Sequence, residues 1–331
     1  MSRTVGRAVV IGTVSLDLVA ASPTATVADA AVGNSGANIA VRLAHLGWEV
    51  VFVTLLGYDD AADMVLRDLE RWGVRTGAVV RRRGYATPLV FQVADVDGGG
   101  AASLLLACPR CKRERGYRLE LPSAAETPDG LGQEVTDADL VVVDIADATS
   151  AMLVKAARGL VWYEASMTEA RSDELRTLAS MSDVVKVSEE EAGHYADAIR
   201  GEHGPRWVRM LTAGRRGVRY ALRNEDGWSA WSIVPALEDV EVVDALGAGD
   251  AFTAAVAHHF AAGGWGAPPD DASVAAALRI GNTQAAQACC AVGARGDMRP
   301  PGTSSPWIET GVLFQCARCG PVVRDGGAWQ R

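Results

Sequence analysis

Apolar residues in this chain gather into short blocks, and the stretches between them place apolar positions three and four apart. Blocks at residues 8–14, 50–56, 140–143, 160–163, 184–187, 208–212 and near 218–222 read as buried strands. The stretches 36–46, 59–72, 150–158, 189–199, 251–262 and 271–291 read as helices. Gly47 and Gly73 stand just past the first two helices, and acidic residues crowd the first turn of the second. Such alternation predicts an α/β fold, a three-layer sandwich whose mostly parallel sheet is covered by helices on both faces. One region breaks the rhythm. Residues 87–95 and 101–107 read as strands flanking Asp97-Gly98-Gly99-Gly100, a hairpin placed to cover the carboxyl ends of the sheet strands. Residues 123–134 carry turn formers and read as a loop. Beyond Gly296, two proline-bearing turns should lead the chain away as an extended arm.

The segment with most chemistry is Asp244-Ala245-Leu246-Gly247-Ala248-Gly249-Asp250, entering an alanine-rich helix. Its glycines allow a tight turn with open amides, and the helix adds its partial positive end, a combination suited to a phosphoryl anion. An aspartate there can take the proton from an attacking hydroxyl, while the amides stabilise charge developing on phosphorus. Taken alone, the same run also describes an ordinary helix start with an acidic first turn.

It does not stand alone. The segment resembles the second signature of the ribokinase-like, or PfkB, carbohydrate kinases. Gly33-Asn34-Ser35-Gly36-Ala37-Asn38, running on to Leu46-Gly47, resembles the first signature. Residues 10–12 through Asp17 are similar to the opening strand and substrate aspartate. Leu211 to Gly217 resembles the T-x-G-x-x-G nucleotide loop, and Ser188-Glu189-Glu190-Glu191 the N-x-x-E segment. These matches fall in family order. The resemblance implies Asp250 as general base, with Gly247, Ala248 and Gly249 forming an anion hole. Substrate hydroxyls would be gripped by Asp17, Gly33, Asn34 and Asn38, and nucleotide by Thr212, Gly214, Gly217 and Asn282. Glu191 and Ser188 would organise magnesium and phosphate, and backbone groups near Asp244 and Leu246 a monovalent cation. It also implies ATP as donor and a kinase unit over 1–296 with a β lid at about 14–35 and 84–107; the arm read from the proline turns then spans 297–331. Four positions depart from the pattern. Ser188 stands for Asn, Asn34 for the second Gly, Ala245 for a common Thr, and Glu164 where many members have Asp.

A motif foreign to that pattern links the arm to the end of the hairpin. Cys108-Pro109-Arg110-Cys111 and Cys316-Ala317-Arg318-Cys319 form two C-x-x-C knuckles, able to close one tetrahedral structural zinc site. Surface thiol turns, a redox pair and disulfides are the alternatives. Four thiolates leave no open position for catalysis. Cys289 and Cys290 read as small buried helix residues, and His258-His259 as packing.

The 331 residues are enough for one large domain. The formal charge of −9 leaves no nucleic-acid footprint. No apolar run approaches a membrane span, and no signal peptide is read at Met1, so a cytoplasmic protein is expected. The expected activity is ATP- and magnesium-dependent phosphorylation of a hydroxyl on a sugar or sugar-containing small molecule. A nucleoside kinase and a non-catalytic, kinase-like sensor are the alternatives. Exposed lid strands could pair two copies as a homodimer.

Overall fold

The computed structural model describes residues 4–20, 28–93, 103–108, 111–113, 117–166, 172–195, 204–264, 268–308, 312–316 and 318–323. The predicted hairpin turn at 97–100 and the last residues of the helix expected over 189–199 fall outside them.

The central sheet is built from the apolar blocks. β1 (Arg7–Ile11), β4 (Glu49–Leu56), β5 (Val79–Arg81), β8 (Leu140–Val143), β9 (Leu160–Ala165), β10 (Val184–Ser188) and β11 (Val208–Thr212) run parallel. β12 (Val218–Asn224), β13 (Gly227–Trp228) and β14 (Ser232–Val234) add an antiparallel edge. The spatial order is β13-β12-β11-β10-β9-β8-β1-β4-β5, with β14 paired to β12. The order reverses beside β1, whose neighbours are β8 and β4. Ligands of open α/β sheets bind at such switch points, outside the carboxyl ends of the strands.

Both faces of the sheet are covered, which is why its strands show no alternation. One face packs on α1 (Ser35–His45), α6 (Ala248–Ala262) and α7 (Asp271–Cys289); the other packs on α3 (Leu131–Asp137), α4 (Ala148–Val154) and α5 (Ser172–Met181). α2 (Asp60–Arg71) is capped by Asp59, which accepts from the Ala62 amide.

Four details of the body differ from the sequence reading. α3 begins inside the predicted 123–134 loop, because Leu131 and Val135 bury together one turn apart. α5 was not predicted, although Leu175, Leu178 and Ala179 give it a buried stripe. Residues 189–195 form successive tight turns in place of a helix: the Glu191, Ala192 and His194 amides each donate three residues back. Three adjacent carboxylates and Gly193 disfavour a longer helix there. Cys290 is exposed and Cys289 half-buried, because both fall in the last, open turn at the end of α7.

The lid is a separate four-stranded sheet, β3-β2-β6-β7, made from β2 (Ser15–Ala20), β3 (Asp29–Gly33), β6 (Leu89–Val93) and β7 (Ser103–Leu105). Asp17, Val90 and Ala31 share one face; Leu18, Phe91 and Leu105 share the other. The arm does not lead away from this sheet. It returns as the hairpin β15 (Val312–Cys316) and β16 (Gly320–Val323) and sets Phe314 edge-on to Phe91 at 5.2 Å. Backbone bonds from Ile308 to Ala30 and from Ala28 to Val323 tie it to the lid. Apolar burial against Phe91 overrides the extended tendency of the proline turns. Among the described residues no helix is long and apolar enough to cross a membrane.

Candidate active site

The start of α6, the start of α1 and the lid face carrying Asp17 converge beside β1. Gly247 caps α6 at φ 75°, and a side chain there would lie 2.6 Å from the backbone of Ala294, so only glycine fits. Gly249 is exposed at the turn, while Asp250 behind it is buried. First-turn amides of a helix have no partner four residues back; here the Ala248 amide makes a long turn bond of 3.3 Å to the Ala245 carbonyl.

The Asp250 carboxylate accepts from Asn38 Nδ2 at 2.9 Å. Burial raises its pKa above the ordinary carboxylate value; Asn38 opposes the rise, Glu164 adds to it and Lys186 lowers it. The two signatures, 212 residues apart, thus meet in one hydrogen bond. Gly33 stands against Asp17 so closely that a Cβ would lie 1.9 Å from its carboxylate. Asp17 accepts from Ser15 at 2.5 Å, and burial pushes its pKa up to about 6. Asn34, between Gly33 and α1, sits at φ 68°, ψ 159°, a conformation natural to glycine.

Sequence reasoning missed several residues here. Asp144, at the carboxyl end of β8, accepts from the Thr13 amide at 2.8 Å, the Thr13 hydroxyl at 2.5 Å and the Gly36 amide at 2.6 Å. It clamps the loop after β1 to the start of α1, and burial pushes its pKa to about 7. An aspartate ending an all-apolar block was the available signal. Lys186 interrupts the apolar block of β10; it pairs with buried Glu164, which also accepts from Thr253 at 2.6 Å, and its Nζ lies 3.4 Å from the Gly249 carbonyl. A buried ammonium thus lies beneath the glycine turn. Gln92 of the lid donates to Asp244, which also accepts from the Gly293 amide at 2.8 Å and the Leu246 amide at 3.0 Å. These three donors take up the Asp244 carboxylate, leaving backbone carbonyls as the ligands for any monovalent cation there. Tyr117, whose hydroxyl exchanges hydrogen bonds with Asn34 at 3.0 and 3.1 Å, carried no sequence signal.

The remaining predicted residues lie along the carboxyl ends of β10 and β11. Ser188 donates to Glu191 at 2.9 Å, making an oxygen-only donor pair suited to a hard cation such as magnesium. Thr212 and the exposed Gly214 border the turn ending at Gly217, whose φ is 91° and whose missing side chain would strike the Val234 carbonyl. Asn282 uses its amide to hold the Pro235 carbonyl at 2.8 Å, shaping the same loop from the α7 side.

The four knuckle cysteines come together, their sulfurs all within 4.8 Å of one another, with Cys111 and Cys316 at 3.7 Å. A tetrahedron of sulfurs about zinc at about 2.3 Å has edges of about 3.8 Å, so the donor set fits that ion. The Arg318 and Cys319 amides pull the Cys316 thiol down to about 6, favouring the thiolate. The cluster joins the chain just after β7 to the turn between β15 and β16. His258 accepts from Trp48 Nε1 at 2.9 Å and is a packing residue.

The pattern described as "pfkB family carbohydrate kinase" matches residues 6–104 and 133–300. The chain belongs to this family. It is 29% identical over 244 residues to fructokinase-1 of Oryza sativa subsp. japonica, covering 68% of this chain and 72% of that one. It is 25% identical over 315 residues to ribokinase of Bacillus subtilis strain 168, covering 87% and 94%. The fold is similar to that of a fructokinase with bound ATP from Xylella fastidiosa, with TM-score 0.69, 23% identity and coverage of 88% and 94%. This pfkB chain is therefore a carbohydrate-kinase relative with a ribokinase-like α/β fold. Segments 105–132 and 301–331, which hold all four knuckle cysteines and Tyr117, lie outside the matched stretches.

Proposed function

We propose that this protein transfers the γ-phosphoryl group of ATP to a hydroxyl of a sugar or sugar-containing alcohol, with Asp250 as general base. The observation that carries this reading is the meeting of Asp250, Asn38 and the Gly247–Gly249 turn at the switch point of the sheet. The acceptor hydroxyl gives its proton to the Asp250 carboxylate as its oxygen bonds to the γ-phosphorus. The bond from that phosphorus to the bridging oxygen breaks, and ADP leaves. The amides of Gly247, Ala248 and Gly249 receive the developing charge, the Ala248 amide giving up its long turn bond to Ala245. Asn38 orients the base, and its 2.9 Å bond keeps one carboxylate oxygen fixed. Asp17, Gly33 and Asn34 hold the other substrate hydroxyls.

The nucleotide in this reading lies along Thr212, Gly214 and Gly217, with Asn282 supporting the adenine side. Its support is twofold: the ordered family signatures and the ATP named in the Xylella fructokinase structure. Magnesium, held near Ser188 and Glu191, would neutralise phosphate charge during transfer. The unit 1–296 does the chemistry. The arm 297–331 is clipped to it through Cys108, Cys111, Cys316 and Cys319 by a structural zinc ion. Two copies would pair through the lid at β7, next to the exposed Leu104 and Leu106.

The test is ADP release with sugars and nucleosides assayed in parallel. A sugar or sugar-containing alcohol that releases ADP in step with its own phosphorylation is the expected result. ATP and ligand binding with no product across a broad panel would replace the kinase with a sensor.

A further inference from the structure

Asp17 lines a small pocket together with Gln92, Gly293, Arg295, Pro306 and Trp307. Its volume is about 10 Å³, the space of one water or one hydroxyl. The walls are fixed. The Trp307 ring is seated on Gly293, where a Cβ would lie 2.8 Å from its Cη2 atom, and the Gly293 amide is tied to Asp244 at 2.8 Å. Arg71 holds the Trp307 and Pro306 carbonyls at 2.6 and 2.8 Å, and Asp68 at 2.7 Å. Asp68 in turn holds Arg295 at 2.9 Å. The arm wall and the body wall are therefore braced by the same two residues of α2.

Among the described residues, Asp17 and Arg295 are the only charged groups lining this pocket, and together they narrow its occupant. Arg295 is 3% exposed and uses one nitrogen on Asp68 and on the Val32 carbonyl. Its Nε and Nη1 are buried without a partner among the described residues, an unfavourable state for a cation unless something accepts from them. Asp17 needs the opposite, a donor. Burial raises its pKa, and Ser15 and the charge of Arg295 oppose the rise. An anion would be repelled by Asp17 and a cation by Arg295. A hydroxyl suits both, since it donates to one side and accepts from the other.

We propose that Arg295 and Trp307 are acceptor-specificity residues: Arg295 and Asp17 share one hydroxyl of the sugar, and Trp307 restricts that seat to a hydroxyl without a substituent. This rests on the kinase reading, which makes Asp17 a ligand of the acceptor. Trp307 lies beyond residue 300, where the match to the family ends, so this wall belongs to this chain.

Calorimetry on the full chain, saturated with a non-hydrolysable ATP analogue, tests the proposal. The probes are D-ribose, D-fructose and their singly deoxygenated and singly O-methylated derivatives. At one position other than the phosphorylated hydroxyl, both changes should weaken binding to wild type by about tenfold or more, the scale of a hydrogen bond to a charged group. Trp307→Ala should bring the methyl ether at that position to within about threefold of the parent sugar, while the deoxy sugar stays weak. A Trp307 that only supports the arm would change all derivatives alike. Arg295→Lys, which keeps a charge beside Asp68 but shortens the reach, should cut the deoxy penalty to about threefold or less. Retained binding of the ATP analogue shows that each variant is folded; should Arg295→Lys not fold, the wild-type series and Trp307→Ala decide. Absence of such a position, the mark of a pocket that holds only a structural water, overturns the proposal. So does a methyl ether that Trp307→Ala fails to rescue, or failure of both parent sugars to bind. The same ligands with hydrolysable ATP separate the two claims. A methyl-ether penalty rescued by Trp307→Ala, with no ADP release from the parent sugar, would refute the kinase reading and leave the pocket standing. ADP release with the binding loss confined to the phosphorylated hydroxyl would refute the pocket and leave the kinase standing.

Discussion

The two sides of the proposed substrate site are held in different ways. On the body side, the glycine turn before Asp250 rests on the packed core, with Lys186, Glu164 and Thr253 buried beneath it. On the lid side, the strand carrying Asp17 belongs to a thin sheet, and its outer face is closed by a hairpin from the far end of the chain. In the proposed reading, packing would fix the chemistry, whereas a few long-range contacts and four cysteines would fix recognition. Damage to the first should therefore appear in turnover, and damage to the second in substrate affinity.

The sharpest way to break this division is Gly247→Val. The positive φ and the 2.6 Å approach to Ala294 leave no room for a side chain, so the amide turn must shift. Loss of anion-hole donors costs about 10²–10³ in turnover. The expected result is a fall of that size in kcat with sugar affinity, measured by equilibrium binding, little changed. A kcat near that of wild type would place the anion hole elsewhere.

Cys316→Ser, or removal of metal by a chelator, attacks the other side. Metal analysis of the purified chain should give about one zinc per chain, lost in the variant. With the hairpin released from Phe91, KM for the acceptor should rise by about tenfold while kcat changes only a few-fold. A fully folded, metal-free wild-type chain with ordinary KM would remove the clip from the account.

The same contrast governs what was legible in the sequence. The body strands were readable because burial on both faces makes them continuous apolar runs, and the α1 and α2 ends because glycine closes each. The lid was half hidden. Ser15–Ala20 is buried along its whole length yet includes Ser15 and Asp17, whose polarity serves the site and hides the strand. The arm reads as extended because its proline turns are local, while the contact that folds it back, Phe314 on Phe91, spans the chain. The two signature segments were visible, but not that Asn38 would reach Asp250, since no local pattern encodes a bond across 212 residues. Asp144, Lys186 and Tyr117 were overlooked for a similar reason: each acts through partners distant in sequence.

A smaller effect is expected from pH. Asp17 titrates at about 6, so acceptor affinity should weaken as pH falls through 6, where its carboxylate takes a proton and stops accepting hydroxyl hydrogen bonds. Asp144 reaches about 7 against an ordinary 3.8. Between those values the folded chain binds more protons than the unfolded one, so this group's contribution to stability is full below 3.8 and is lost as pH rises to 7. Thermal melts should accordingly show the stability of Asp144→Asn relative to wild type improving from pH 4 to 7. A difference independent of pH would contradict the burial of an ionisable group there.

The most direct measurement is the turnover of Asp250→Asn set beside its affinity for ATP. Asparagine keeps the size of the side chain but cannot take the proton, so kcat should fall by about 10²–10⁴. Nucleotide affinity should stay close to that of wild type. Turnover near the wild-type rate would show that another group accepts the proton and would contradict the account at its centre.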